Sequence, residues 1–381
     1  MKNETGTINL IKFTLWGIGK PEADEGVFSD LKDHTLIALP ADLLTSMNLS
    51  EELAARWKNE VLQHLMSYFS YKEQEKELPL TVPYVLMKGS AAGQYYPKPE
   101  YRSMGDIDLI TKSEDFETAC NDMLSGGYEE IPCYYSRHRQ FIKNNIVVEV
   151  HRSFAIPDNP ERARRVDQLI RENINESHFL PDLVNGIVLL EHIRYHLKMG
   201  LGLRQILDWM LFADKCLPDE KWPEFQAMAG DTDLEKLAVA TTRMCELYLG
   251  LPEHEWCRNA DKKVCRQLMN LVLDSGNFAR NFGHDGFISS QFFTSAKTLK
   301  GALAFLQSRG DWHLEQEYGH KPIPIVGGLY QLGRYLVQGF HRKGTFRKLL
   351  TEYRVGKERN DLFDALLEDH SAGESENIED H

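Results

Sequence analysis

The sequence predicts an α+β fold in which a small mixed or antiparallel sheet lies between two helical regions. Apolar side chains recur at helical spacing in residues 51–76, short alternating runs fill residues 84–151, and helical spacing returns after Pro157. A chain of 381 residues is long enough for two or three compact units. We predict four segments: an N-terminal helical region at 1–79, a core at 80–155, a helical C-terminal region at 156–360, and an acidic, partly disordered tail at 361–381.

The N-terminal region is predicted to hold helices at residues 8–17 and 51–76. Ser50 is the expected N-cap of the second helix, because a serine hydroxyl can accept a hydrogen bond from the first turn. The residues predicted to line one face of this helix are Leu53, Trp57, Val61, Leu62, Leu65 and Met66.

The central segment predicts a strand-rich core. The apolar strand YVLM runs into a KGS turn and a short helix, and the strand MGDIDLIT follows. A helix capped by Ser113 and ended by Gly126 and Gly127 comes next. The runs YEEIPCYYS, HRQFIKN and IVVEVHRSF then predict antiparallel strands, with Asn144 and Asn145 as the tight turn before the last.

Composition and charge are those of a globular protein and argue against a large nucleic-acid surface. Hydrophobic residues make up 42% and charged residues 27% of the chain. The formal net charge is -13, and much of it comes from the acidic run after Asp361, which contains no Lys or Arg. An acidic body disfavours non-specific binding to nucleic acid.

The cysteines and the apolar runs indicate where the protein is located. The six cysteines form no C-x-x-C pair, so we expect free thiols in a reducing compartment. The first 20 residues lack a signal-peptide pattern, and no run of 18 uncharged apolar residues occurs. We therefore expect a cytoplasmic protein with no membrane span.

Two aspartates, Asp106 and Asp108, stand two residues apart in the run GDIDLIT. Side chains at i and i+2 of a strand face the same way, about 6.6 Å apart. Two ionised carboxylates at that distance repel by roughly 2.5 kcal/mol at an effective dielectric constant of about 20. A divalent cation between them removes that cost, and oxygen-rich clusters suit Mg²⁺. The pair alone also fits the solvent-facing edge of a half-buried strand. The neighbouring residues must therefore decide between a metal site and an ordinary strand edge.

Two features near the pair favour chemistry at phosphorus. Upstream, a strand runs into Gly89, Ser90 and a helix; glycine allows close backbone approach, and a helix N-terminus offers N–H groups to phosphate. Downstream, Glu149 lies between Val148 and Val150 and therefore points away from them. A third carboxylate on a neighbouring strand would complete a two-metal site for a displacement at phosphorus.

These elements together resemble the nucleotidyltransferase superfamily typified by DNA polymerase beta, in which a Gly-Ser turn precedes an Asp-x-Asp strand and a third acid lies on a later strand. The sequence is more closely similar to the branch of uncharacterised bacterial nucleotidyltransferases. The likeness spans residues 80–250, although the loop of fifteen residues between Ser90 and Asp106 is slightly longer than in compact members. The matching positions are Lys88, Gly89, Tyr95 to Pro97, Arg102, Gly105 to Leu109, Gly127, Tyr128, Val148 to His151, His196, Leu203, Arg204 and Asp208.

The resemblance implies metal-dependent transfer of a nucleoside monophosphate from an NTP to an acceptor hydroxyl, with pyrophosphate leaving. It implies that Asp106, Asp108 and Glu149 are the catalytic acids and bind Mg²⁺ or Mn²⁺, with Glu149 also helping to activate the acceptor hydroxyl. Gly89 and Ser90 would hold the triphosphate. The acceptor classes left open are RNA, a protein side chain, a sugar and a small molecule.

Several charged residues near the motifs are further candidates. Lys88, Arg102, Arg137 and Arg139 could each neutralise a triphosphate; Arg102 is preferred because it directly precedes the aspartate strand, although a surface ion pair explains it equally well. His192 and His196 have the i, i+4 spacing of a metal-binding helix but no evident third ligand, so a structural role is favoured. Asp208 is expected to cap its helix or to pair with Arg204.

Two other classes of function stay open. A D-x-D nucleotide-sugar glycosyltransferase would carry a longer nucleotide-binding α/β half before the motif, which the helical lead-in does not supply. A catalytically idle relative would bind a nucleotide or a partner protein, and the presence of all three acids argues against it.

The segment 321–359 is basic and contains interleaved aromatic residues. It contains nine Lys and Arg residues but only two Glu. An anionic partner such as RNA, or a membrane surface, would fit this pattern. The interpretation that we favour is a helix that packs its aromatic side chains on the body and balances the acidic tail.

Overall fold

The computed structural model describes residues 4–132, 137–156, 159–175, 177–197, 200–275, 299–319, 325–340 and 362–367. Its α-helices in chain order are α1 (Glu4–Trp16), α2 (Glu25–Asp33), α3 (Glu51–Lys76), α4 (Gly89–Gly93), α5 (Phe116–Ser125), α6 (Pro160–Glu172), α7 (Asp182–Leu197), α8 (Leu203–Cys216), α9 (Trp222–Asp231), α10 (Glu235–Leu249), α11 (Lys262–Ser275), α12 (Leu299–Tyr318) and α13 (Val326–Phe340). Its strands are β1 (Tyr84–Met87), β2 (Ile107–Thr111), β3 (Glu129–Ile131), β4 (His138–Lys143) and β5 (Ile146–His151). The predicted α+β class is confirmed.

The strands form a mixed sheet in the order β1-β2-β5-β4-β3. Only β2 and β5 run parallel, and the other neighbours are antiparallel. Asn144 and Asn145 connect β4 to β5 with φ values of 53° and 63°, as a two-residue hairpin turn requires. The predicted turn is confirmed, and the predicted strands are present but shorter: the aspartate strand begins at Ile107, so Asp106 lies just before it, and residues 133–136 of the run YEEIPCYYS lie outside the described residues. The parallel pairing brings the aspartate strand beside the Glu149 strand.

Alternation along β2 and β5 divides their side chains between two faces of the sheet. Leu109, Val148 and Val150 pack under α5 on one face. Ile110 lies on the other face, in the core formed with α6 and α7. Asp108, two residues before Ile110, therefore projects from this second face.

The helices before and after the sheet share one hydrophobic core. It joins Leu10 of α1 and Trp57 of α3 to Leu207 of α8 and Leu249 of α10. The predicted boundaries at 79, 155 and 360 stay predictions, but the first and third segments pack together rather than apart.

Helix α3 forms as its sequence predicts but buries a narrower stripe. The Ser50 hydroxyl accepts a hydrogen bond from the Leu53 N–H at 3.2 Å, and Trp57 and Val61 are buried further along. Leu62 and Met66, predicted on the same face, are 57% and 63% exposed. The prediction was wrong for these two because, at about 100° per residue, they lie roughly 140° and 180° around the helix axis from Trp57, at the centre of the buried stripe.

The basic segment 321–359 and the acidic tail lie mostly outside the described residues. Helix α13, in the described part of the basic segment, packs on α12, and a Cβ added at Gly310 would meet the Gly327 carbonyl oxygen. Leu362 and Leu366 of the short stretch 362–367 are buried in the helical core. The expected anionic partner and the partly disordered tail stay predictions. No described helix combines the length and the apolarity needed to cross a bilayer.

Buried histidines predict that the fold loses stability in mild acid, and His34 offers the clearest test. The Leu203 N–H donates to His34 Nδ1 at 3.2 Å, and burial lowers the pKa of this imidazole to about 4. The unfolded chain takes up a proton near pH 6.5, whereas the folded chain does not. The stability is therefore present above pH 6.5 and is lost as the pH falls towards 4.

We expect His34 to account for about 2 kcal/mol of lost unfolding free energy between pH 7.5 and pH 5. The variant His34→Asn keeps an acceptor for the Leu203 N–H but cannot titrate. Urea unfolding at both pH values should therefore show a smaller loss for the variant than for the wild type. Equal losses in the two proteins would contradict this account of His34.

Candidate active site

The parallel pairing of β2 and β5 creates a cluster of three carboxylates. Asp108 and Glu149 are directly opposite in the register, and Asp106 lies one residue before β2. One carboxylate oxygen from each of the three lies within 4.8 Å of the others. The structure thus brings together the three acids that the sequence marks as a set.

Lys88 supplies a positive charge that lies directly against this cluster of carboxylates. It follows β1, whose last residue, Met87, is opposite Asp108, and its ammonium lies 2.6 Å from Asp108 Oδ1. Its φ of 52° is in the left-handed region, which costs a non-glycine residue energy and is often found at functional sites. The turn therefore holds the lysine against the carboxylates at an energetic cost.

Two histidines and a glutamine complete the surroundings of Glu149. His151, two residues along the same face of β5, has its Nε2 2.9 Å from Asp108 Oδ1 and 3.3 Å from Glu149 Oε2. His138 on β4 lies across from His151, with its Nε2 3.6 Å from Glu149 Oε1. Gln140 donates to Glu149 Oε1 at 2.7 Å. Glu149 is thereby held from three sides.

The charges in the cluster shift the pKa values of its members in opposite directions. Burial, reinforced by the negative charge of Asp108, raises the pKa of Asp106 to about 7. Burial would also raise the pKa of Glu149, but the hydrogen bond from His151 and the charge of Lys88 outweigh it and hold that pKa well below its ordinary value. A bound cation would therefore favour the ionised form of Asp106 most, while Glu149 is ionised without a cation.

The three carboxylates fit a divalent metal ion. Their oxygens converge within 4.8 Å, and hard cations such as Mg²⁺ and Mn²⁺ prefer oxygen ligands. The raised pKa of Asp106 reflects burial of its carboxyl group together with repulsion from Asp108, and a bound cation would offset both effects. The donor set is therefore chemically suited to the metal that the sequence predicts.

Helix α3 holds the Gly-Ser turn in place, a contact that the sequence did not predict. The Lys72 ammonium donates to Ser90 Oγ at 3.0 Å, and the Ser90 hydroxyl donates to the Glu75 carboxylate, which also pairs with Lys72. Tyr71 of the same helix donates to the Gly105 carbonyl oxygen at 2.8 Å. Helix α3 therefore contacts both the Gly-Ser turn and the loop before Asp106.

Arg102 does not stand beside the carboxylate cluster as an unengaged cation. It is buried and forms a two-pronged ion pair with Asp208 of α8, with Nη2 at 2.7 Å from Oδ2 and Nε at 3.2 Å from Oδ1. The Tyr96 hydroxyl donates to the same Oδ1 at 2.9 Å. Asp208, expected to cap its helix or to pair with Arg204, has Arg102 as an ion-pair partner, because the fold buries the two side chains together. The expected contact with Arg204 stays a prediction.

The remaining cations predicted as candidates are engaged elsewhere. Arg137 donates to the carbonyl oxygens of Phe154 and Ala155, at 3.1 and 3.2 Å. Arg139 pairs with Glu130 and Glu117. Lys88 is therefore the predicted cation that the structure places directly on the carboxylates.

His192 and His196 take the structural arrangement that their sequence context favoured. Both are buried, and their Nε2 atoms lie 3.0 Å apart, so one ring donates a hydrogen bond to the other. Burial lowers the pKa of His196 to about 3, and the pKa of His192 is lowered as well. The pair is therefore neutral at pH 7.

The additional site residues differ in how visible they are in the sequence. His151 follows Glu149 by two residues on a strand, so the same alternation that singled out Glu149 could have placed it on the same face. The role of His138 depends on the register between β4 and β5. The role of Lys72 depends on how a distant helix packs, which no local pattern specifies.

The mixed sheet, the Gly-Ser turn and the three converging acids form the arrangement predicted for a nucleotidyltransferase. A family model described as uncharacterised nucleotidyltransferase matches residues 28–250, which is more than half of the chain. The chain belongs to this family and is thereby a nucleotidyltransferase, a kind of transferase. The match begins within α2 and ends just after α10, so it includes α3 as well as the sheet. Searches of curated proteins and of solved structures returned no significant match.

Proposed function

We propose that the protein transfers a nucleoside monophosphate from an NTP to an acceptor hydroxyl in a metal-dependent reaction. A bond forms between the acceptor oxygen and the α-phosphorus, the bond from that phosphorus to the β-phosphate oxygen breaks, and pyrophosphate leaves with the electron pair. The acceptor hydroxyl loses its proton to solvent. The observation that carries this proposal is the convergence of Asp106, Asp108 and Glu149 beside the Lys88 ammonium.

The three acids would hold Mg²⁺ or Mn²⁺, which neutralises charge on the reacting phosphates when bound. Lys88 is placed to neutralise further phosphate charge, and Gly89 and Ser90 to hold the triphosphate. Glu149 is ionised and fixed by His151 and Gln140, which suits a ligand that orients the acceptor better than a strong base.

For Arg102 we propose a positioning role in place of the triphosphate contact that the sequence suggested. Its guanidinium is bonded to Asp208, and its Nη1 donates to the Ser103 carbonyl oxygen at 3.0 Å. These contacts fasten the loop before Asp106 to α8. The aspartate pair is thereby held at a fixed place relative to the helical region.

A transfer assay tests the proposal and identifies the acceptor class. The purified chain is incubated with Mg²⁺ or Mn²⁺, with each of four α-phosphate-labelled NTPs and with a lysate of its source cells. We expect label to move onto a macromolecule or a metabolite with the wild type and not with a folded Asp106→Ala variant. Absence of transfer, with equally weak NTP binding by both proteins, would instead favour a catalytically idle relative.

The location and the remaining partner are also proposals. The cysteines that the structure describes are free thiols, which fits a reducing, cytoplasmic setting. An anionic acceptor at the basic segment 321–359 would be detected in the same lysate assay as labelled RNA or another labelled polyanion.

Lys72 and Glu75 lead to a prediction about NTP affinity. We expect Lys72→Met to weaken binding of an NTP analogue about tenfold. The variant lacks the ammonium beside Ser90 and therefore cannot make a charge-assisted contact to phosphate. Glu75→Gln should strengthen binding, since the Glu75 carboxylate occupies the same two donors that a phosphate oxygen would use. Calorimetric titration with a non-hydrolysable NTP measures both effects.

Lys76→Met is the matched control for the Lys72 variant. Lys76 lies on the same helix four residues later, is largely exposed and pairs only with the exposed Glu73 among the contacts that the structure describes. Its replacement should leave NTP affinity unchanged. If both lysine variants weaken binding equally, the effect of Lys72 is one of overall charge and the proposed contact is wrong.

A further inference from the structure

A second group of metal-ligating side chains lies next to the three carboxylates. His138 and His151 are cross-strand partners on β4 and β5, and their ring centroids are 4.9 Å apart. Glu149, two residues before His151, presents Oε1 at 3.6 Å from His138 Nε2 and Oε2 at 3.3 Å from His151 Nε2. One ligand atom from each of the three residues lies within 4.8 Å of the others. We infer that His138, Glu149 and His151 form a binding site for a divalent transition-metal ion.

The surroundings of this group are those of a built site rather than of a surface cluster. Both imidazoles are buried, with 8% and 6% of their surfaces exposed for His138 and His151. Gln140 donates to the Glu149 carboxylate at 2.7 Å, and the Phe154 ring packs edge-on against His151. Outer contacts of this kind hold ligands in one orientation, so little rearrangement is needed before a metal binds.

The ligand set differs in chemistry from the neighbouring carboxylates. Imidazole nitrogen is a preferred ligand of Zn²⁺ and other late first-row transition metals, whereas Mg²⁺ prefers oxygen ligands alone. Two histidines and one glutamate are a known ligand set for zinc, with a further position left for water or substrate. The site is therefore expected to take Zn²⁺ in preference to Mg²⁺.

Glu149 belongs to both groups, which links the two sites. His151 also lies 2.9 Å from Asp108 Oδ1, so it contacts the carboxylate cluster as well. A metal ion held by the histidines would fix the side chain of Glu149 and so position one edge of the carboxylate cluster. This inference extends the proposed function but does not depend on it, because metal binding is measurable without any transfer.

Zinc binding by the full chain tests the inference. Chelator-treated protein is titrated calorimetrically with Zn²⁺ in excess Mg²⁺, which occupies sites built only from oxygen ligands. We expect one Zn²⁺ to bind, with X-ray absorption showing two imidazole ligands, and His138→Ala to weaken binding by about a hundredfold or more. Asp106→Asn should retain Zn²⁺ binding, since Asp106 is not a member of the group.

Two further variants keep the outcome interpretable. His138→Gln retains a polar side chain of similar size if the alanine variant does not fold, and it too should bind Zn²⁺ weakly. His64→Ala removes a histidine outside the group and should bind normally. The inference is overturned if the wild type binds no Zn²⁺, or if the folded His138 variants bind as tightly as the wild type. Intact Zn²⁺ binding without any transfer activity would count against the proposed function alone.

Discussion

Replacing Asp106 by asparagine should lower the rate of nucleotide transfer by roughly 10²- to 10⁴-fold. The change removes one negative oxygen from a cluster whose three acids converge within 4.8 Å, so the cation that neutralises the phosphates would be held less tightly. Asp106 precedes β2 and is only partly buried, and asparagine has nearly the same size. The fold should therefore survive, and the loss should appear in kcat/KM measured with a labelled NTP.

Glu114→Gln is the control for this change. Glu114 is an exposed acid in the turn after β2, so its replacement alters the net charge equally without touching the cluster. Transfer by this variant should match the wild type. Full activity of a folded Asp106→Asn protein would remove Asp106 from the catalytic set.

The Asp208→Ala variant should lose about 3–5 kcal/mol of unfolding free energy. Asp208 accepts hydrogen bonds from Arg102 and Tyr96 in a buried place, so its removal leaves the Arg102 guanidinium charged and without its ion-pair partner. A buried charge that loses its partner bears the full cost of its lost hydration. Urea unfolding, monitored by circular dichroism, measures this effect.

A double variant separates the loss of the ion pair from the free-energy cost of leaving the Arg102 charge buried without its partner. Arg102→Met combined with Asp208→Leu replaces both members by apolar side chains, and we expect it to be more stable than Asp208→Ala alone. A loss below about 1 kcal/mol in the single variant would instead match a solvent-screened pair and contradict the buried arrangement.

The sequence predicted those parts of the site that depend on local pattern. Period-two alternation placed the Glu149 side chain on the face of the strand opposite to that of Val148 and Val150. The Asn144-Asn145 turn fixed the hairpin that carries this strand. The D-x-D run and the Gly-Ser turn needed only the strand assignments on either side. Each of these features is decided by residues adjacent in the chain, and the structure places them as expected.

Features that depend on packing between distant segments were not predictable in the same way. Arg102 looked like a phosphate ligand because its partner, Asp208, is more than a hundred residues away. Lys72 reaches Ser90 only because α3 packs across the Gly-Ser turn. Leu62 and Met66 are apolar like their neighbours, but the body of the protein covers only a narrow stripe of α3. Partner choice and burial are set by the tertiary fold, which local spacing does not encode.

The position of the transferred label tests the central claim most directly. The protein, its acceptor fraction and Mg²⁺ are supplied in parallel with α-phosphate-labelled and γ-phosphate-labelled NTP, with and without chelator. We expect acceptor labelling only from the α-labelled nucleotide, one pyrophosphate released per transfer, and no product once the metal is chelated. Labelling from the γ-phosphate, or transfer that persists in chelator, would contradict metal-dependent nucleotidyl transfer by the Asp106, Asp108 and Glu149 cluster.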